Sequence, residues 1–254
     1  MRRIRPISHE DRLSVIDHLD ELRSRLIISL IAFCVAWALT MSQNDLVLEI
    51  MNAPLPNGQH PITLGPAEAF TTTLMNAAYF AVIIAAPVVL YELYAFILPA
   101  FSPSERRVAT PLLILVPVLF ITGVVFCYFV VLGPALHFLL NFNSDEFNTQ
   151  VRAKDYYSFV SLVMIAMGLG FQIPVGVLAA CKIGITNAEK LRRNRRYAIV
   201  VIVVLASLLP TLDPVTLMLE SLPFYLLYEL SILMASRWGR PVYDVSDEPA
   251  AEGL

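Results

Sequence analysis

Charge is what this chain has least of. Lys, Arg, Asp and Glu make up 15% of its 254 residues, where a soluble domain carries about a quarter. A net charge of −3 gives no bulk attraction to nucleic acid. The three cysteines, Cys34, Cys127 and Cys181, all fall in apolar runs, so no disulfide framework is expected. The four histidines, His9, His18, His60 and His137, are scattered, which gives no pattern for a metal site. The P-loop, the zinc-protease helix and the nucleophile elbow are all missing. An enzyme is therefore not expected, nor a cofactor, and any work must draw on something other than the chain's own ATPase. No internal repeat is visible, which weakens an inverted-repeat transporter reading. No cleavable export signal is expected either. Arg2 and Arg3 are followed by PISHEDRLSVIDHLDEL where such a signal needs an apolar core.

What the chain does have is apolar length. Hydrophobic residues make up 57%, and the mean hydropathy is +0.67. Spanning the bilayer takes about 20 apolar residues per helix. Residues 26–41, 70–98, 108–132, 156–181, 197–209 and 215–235 form six runs. The expected fold is an all-α integral membrane protein with six transmembrane helices. The fifth run is only thirteen residues, about 20 Å of helix against a hydrocarbon core of about 30 Å. Such a helix thins the bilayer, recesses into the protein or pairs with something, unless snorkelling arginines share the mismatch.

Sixteen of the eighteen Lys and Arg residues lie before the first run, after the second, after the fourth or after the sixth. Only Arg152 and Lys154 fall on the other side. That bias predicts both termini in the cytoplasm. It divides the chain into a cytoplasmic amphipathic segment (1–25), a transmembrane domain (26–235) and an acidic, disordered cytoplasmic tail (236–254). Of the outer segments, 42–69 carries Pro54, Pro56, Pro61 and Pro66, a stiff loop folded against the helices. In the other, 133–155, LHFLLNF reads as a short interfacial helix.

Polar groups at membrane depth are costly and often functional. Glu92, Glu220 and Glu229 lie within runs, and Asp213 lies at the outer mouth of the last hairpin. Glu92 and Glu229 are near inner ends, so reaching the interface is as good a reading as a function. Glu220 is deeper. It and Ser221 suit a polar contact to a partner helix. Gln172, beside Pro174, is placed to hydrogen-bond a carbonyl that the proline frees. A proton-coupled small-solute transporter using Asp213, Glu220 and Glu229 is the alternative reading.

The stretch HLDELRSRL, from His18, places carboxylates and arginines together just before the first run. Val15, Ile16, Leu19, Leu22 and Leu26 recur at helical spacing, which suits an interfacial amphipathic helix bending into the first span. Glu21 is spaced to pair with Arg25. Ser102-Pro103-Ser104-Glu105 has the form of a capping box, and Thr186-Asn187-Ala188-Glu189 repeats it.

Those stretches together resemble the TatC family, the multispanning receptor subunit of the twin-arginine protein translocase. HLDELRSRL, APL from Ala53, APVVLYELYAFILPAFSPSERR from Ala86, YFVV from Tyr128, GFQIP from Gly170, and GIT with LRRNRRY occur in the family's order. The resemblance implies a concave, glove-like bundle of six spans in the bacterial cytoplasmic membrane. It implies binding of signal peptides with paired arginines, and self-association in a larger complex. It also implies assembly with single-span subunits of the TatA and TatB type, and use of the proton-motive force to move folded proteins. By resemblance Glu21 and Glu105 are the recognition carboxylates, and Arg23, Pro54, Phe96 and Asp213 occupy positions tied to function. The chain departs from the family at Gln172, where a Glu is frequent, and at Leu217, where a polar residue is usual.

Overall fold

The computed structural model describes residues 9–56, 60–97, 112–144, 146, 149–182, 184–207 and 213–238. The described residues are helical apart from short connections and one parallel bridge between Ile62 and Arg152. In chain order the helices are α1 (His9–Ser42), α2 (Asn44–Asn52), α3 (Glu68–Ile97), α4 (Leu112–Phe126), a π-helical turn (Cys127–Val131), α5 (Leu132–Asn141) and α6 (Ala153–Gly170). They continue as α7 (Ile173–Lys182), α8 (Ala188–Arg193), α9 (Arg195–Ser207) and α10 (Pro214–Trp238).

Five helical stretches are long and apolar enough to cross a membrane. They lie in α1, in α3, in α4–α5 with the π-turn, in α6–α7 and in α10. Their large side chains point outward where a soluble protein would hide them: Leu30 is 62% exposed, Ile114 72% and Phe129 75%. Helix α9 has thirteen residues and falls short of that length, as the fifth run did in the sequence.

Helix α1 is one uninterrupted helix of 34 residues, so the HLDELRSRL stretch and the first apolar run are a single rod. It packs along α3. Ala36, Ala81 and Ala85 bury their small side chains in one cluster, which lets the two backbones come close. Thr40 donates to the Ala77 carbonyl at 2.9 Å, and Arg25 reaches Glu92, so the pair is antiparallel.

LHFLLNF is not a separate interfacial helix. It is the end of the third span, because hydrogen bonding carries through the π-turn: the Leu132 N–H bonds the Cys127 carbonyl, and Leu136, Leu139 and Leu140 join the main core. The fourth span is broken at Phe171 and Gln172. Pro174, one residue into α7, has no N–H to bond the Gly170 carbonyl. At the far end of α7, Gly184 takes φ +79°, and Ile185 donates back to the Ala180 carbonyl at 3.0 Å. A glycine ends a helix this way because it has no Cβ to clash.

Close backbone approach holds the middle of the bundle. A Cβ on Gly123 in α4 would meet the Met167 carbonyl oxygen at 2.8 Å and the Gly168 Cα at 2.9 Å. One on Gly168 would meet the Phe120 ring at 2.6 Å. A Cβ on Gly170 would collide with the Phe224 ring of α10.

Helix α2 lies inside the proline-rich loop and was not expected from its sequence. It buries Val47 and Met51, and Leu55 beyond its end joins the same core. Apolar residues at 47, 48 and 51 are the signal for it, in a stretch whose prolines begin only at Pro54.

Candidate functional site

Three polar groupings stand out, and the first joins α1 to α3. His18, Glu21 and Arg25 are three and four residues apart and share one face of α1. Glu92 and Phe96, four apart, share a face of α3. The Arg25 guanidinium donates to Glu21 Oε1 through Nε (3.0 Å) and Nη2 (2.6 Å), and to Glu92 Oε2 through Nη1 at 2.7 Å. Glu21 Oε2 lies 3.7 Å from His18 Nδ1. The His18 ring stacks on Phe96, with centroids 4.3 Å apart and planes 11° from parallel. All five side chains keep solvent access, and of the four titratable ones Glu92 has the least. Glu92 is thus the second carboxylate of a clamp on Arg25, not a side chain merely reaching the interface.

This cluster gathers three of the residues singled out from sequence, Glu21, Glu92 and Phe96. Arg23 lies off that face, exposed, with no hydrogen bond or ion pair to a described residue. Glu105 lies outside the described residues. Pro54 is half-buried and follows α2, at the opposite end of α1. From Arg25 to Ser42 the helix rises about 25 Å, so Pro54 and Glu21 do not share a site.

The second grouping is at that opposite end. A helix leaves its last carbonyls without intrahelical partners, and tyrosines serve the end of α2. Tyr128 donates to the Ile50 carbonyl at 2.8 Å and Tyr156 to that of Met51 at 2.6 Å. Tyr157 donates to Asn52 Oδ1 at 3.0 Å. The APL stretch, with Pro54, is thereby held against α6 and the π-turn. Nearby, Arg152 binds Glu68 at 2.7 Å, and that hydrogen bond raises the guanidinium's pKa above its ordinary value. The Ile62 N–H donates to the Val151 carbonyl and the Ala153 N–H to that of Ile62, both at 2.8 Å.

The third grouping involves the last two long helices. Asp213 caps α10, its Oδ1 accepting from the Thr216 N–H at 2.7 Å. Glu220 is completely buried. Glu229 accepts from Arg195 at 2.7 Å and from the Tyr225 hydroxyl at 3.0 Å, which ties α9 to α10. Arg195 is therefore its cation. Tyr228 donates to the Leu191 carbonyl at 2.8 Å, tying α8 to α10. Asp213 is engaged at the start of α10 and Glu229 about four turns further on. Between α9 and α10 lies an apolar cavity of about 370 Å³, lined among others by Ile199, Val203, Met218, Ser221 and Tyr225. The Ser221 hydroxyl has no partner among the described residues.

Two local expectations are corrected. Gln172 does not bond a carbonyl freed by Pro174. Its amide crosses to the Val116 carbonyl in α4 at 3.1 Å, because the break between α6 and α7 turns it toward that helix. The second capping box shifts by one residue. Asn187, not Thr186, is the cap, its Oδ1 accepting from the Lys190 N–H at 2.7 Å. Both residue types can cap, and asparagine is the stronger. Glu189 then falls one position short of the reciprocal place. His18 is the site residue that sequence reasoning missed, and Glu92 was singled out without its partner. The spacing of His18, Glu21 and Arg25 was visible, but the carboxylate and ring that complete the cluster sit some seventy residues away.

The fold and these groupings define the class: a multi-pass, all-helical membrane protein with polar clusters at both ends of its helices. The family model for the Sec-independent protein translocase protein (TatC) matches residues 17–223. The chain is 36% identical over 234 residues to the protein of that name from Escherichia coli, covering 90% of each. It is 34% identical over 247 residues to that of Desulforapulum autotrophicum, covering 96% of this chain and 91% of the relative. The crystal structure described as the twin arginine translocase receptor TatC superposes with a TM-score of 0.77 at 36% identity, covering 88% of this chain and all of that one. The chain belongs to the TatC family of Sec-independent protein translocase components.

Proposed function

We propose that the chain is the receptor and core subunit of a twin-arginine translocation complex. It binds Arg-Arg signal peptides at its inner face and helps move folded proteins across the bacterial cytoplasmic membrane on the proton-motive force. The observation that carries this is the α1–α3 cluster. It brings a carboxylate, Glu21, and an aromatic ring, Phe96, from separate helices to one membrane end, the end rich in Lys and Arg. Glu105, beside the same end in sequence, is the second recognition carboxylate, and Arg23 borders the site. Arginine is the fitting ligand because its planar fork engages a carboxylate through two hydrogen bonds.

The working topology is six spans in a glove-like bundle, with α9 as a short fifth span and both termini cytoplasmic. Residues 1–25 and 236–254 flank the membrane domain. Pro54, held at the outer end, serves the fold of the outer loop. The α9–α10 cavity, with Ser221 inside it and Asp213 and Glu220 nearby on α10, receives a single-span partner of the TatA or TatB type. The test of recognition is the affinity of an Arg-Arg signal peptide for the purified chain. Glu21→Gln and Glu105→Gln should each weaken it, and the double variant more so. An unchanged affinity in the double variant overturns the reading.

A further inference from the structure

The recognition carboxylate is already occupied. Glu21 Oε1 takes two donors from Arg25, and the third donor of the same guanidinium goes to Glu92. An arginine entering from a signal peptide needs what Arg25 holds. The geometry points to Arg25 as an internal stand-in for the cargo arginine, with Glu92 as the anchor that keeps it when Glu21 is given up. This rests on the proposed receptor role of Glu21 and adds to it the internal competitor that a peptide must displace.

Binding is then an exchange at Glu21, not the filling of a bare carboxylate. The exchange conserves charge: one guanidinium leaves Glu21 as another arrives. Arg25 is not stranded, because Glu92, less exposed than Glu21, retains it. Arginine for arginine replaces like with like, so the peptide gains less at Glu21 than a bare carboxylate would give it. Lysine for arginine trades a planar fork for a point charge and is unfavourable before any other contact is counted. Arg25 thus lowers the affinity of every peptide that needs Glu21, and Glu92 sets by how much. Without Glu92, Arg25 has only Glu21 to hold.

The experiment measures the affinity of one synthetic signal peptide in its Arg-Arg and Lys-Lys forms for the full chain in nanodiscs. Arg25→Gln removes the competitor. Both peptides should bind more tightly, each by about tenfold, the scale of one charged hydrogen bond, because displacing Arg25 costs the same whichever peptide arrives. The preference for arginine does not narrow. Arg25→Lys keeps the charge without the fork and should tighten both by less. Glu92→Gln should weaken Arg-Arg binding severalfold, because Arg25 then clings to Glu21 alone. Misfolding cannot imitate this pattern, since it would weaken binding in every variant. Should Arg25→Gln fail to fold, the opposite shifts in Arg25→Lys and Glu92→Gln decide. If Glu21→Gln weakens the Arg-Arg peptide while both Arg25 variants leave affinities unchanged, the stand-in is wrong and the receptor role survives. If Glu21→Gln changes nothing, the receptor role itself fails.

Discussion

At the scale of single residues, polar side chains here are explained by what they bridge. Gln172 is the clearest. An ionised carboxylate at its position would have no amide to offer the Val116 carbonyl, whereas the amide links α4 to the break between α6 and α7. Gln172→Leu removes that bridge, and an interhelical hydrogen bond of this kind contributes about 0.6–2 kcal/mol. We expect a lower melting temperature in detergent and export that persists in proportion to the protein remaining. Complete loss of export at normal abundance would assign Gln172 a direct role. Gly123 works through absence. Its Cβ would press on backbone atoms of α6, which cannot rotate away as a side chain can. Gly123→Ala should destabilise by about 1–3 kcal/mol, the usual cost of overpacking. A melting temperature equal to that of the parent chain would count against the close packing described.

At the scale of elements, the short α9 is held from two sides. Arg195 of α9 grips Glu229, and Tyr228 bonds α8, so the inner end of the hairpin is fixed while the face beyond it stays apolar and open. Ile199, Val203, Met218 and Leu222 form that face. Leu219, one residue from Met218, turns inward onto the core. Single cysteines at Val203 and Met218 should therefore crosslink to cysteines in a single-span partner helix, and one at Leu219 should crosslink poorly. Crosslinks confined to α4 would place the partner elsewhere. Breaking the hold at the inner end tests the same element: Glu229→Gln should loosen α9 and reduce those crosslinks without abolishing signal-peptide binding.

At the scale of the whole molecule, the question is which way the bundle faces. The uneven placement of Lys and Arg predicts that α8 and the start of α1 share a side, and that the bridge between Ile62 and Arg152 lies opposite. Cysteines at His60 and Gln150 should react with a membrane-impermeant reagent in intact cells, and cysteines at Lys190 and Arg192 only after lysis. Labelling of Lys190 in intact cells would overturn the orientation and, with it, the cytoplasmic placement of Glu21.

Much of this molecule was determined by its sequence. The all-helical class and the membrane environment follow from apolar run length, a one-dimensional property set by the thickness of the bilayer. The shortness of the fifth helix and the Glu21–Arg25 pair are equally local, since both lie within one stretch of chain. Helix α2, the π-turn that joins α4 to α5 and the interhelical bond of Gln172 were decided only by tertiary structure. For α2 and Gln172, hydrogen-bonding groups are satisfied by residues distant in sequence, as when Tyr128 of the π-turn and Tyr156 complete the end of α2. Glu92 shows the division most sharply. Its place in an apolar run revealed a carboxylate that needed a reason, and the antiparallel packing of α1 on α3 supplied Arg25 as that reason. A run of sequence states which groups must find partners; only the packing of helices, set by small residues such as Ala36 and Ala81, decides which partners come within reach.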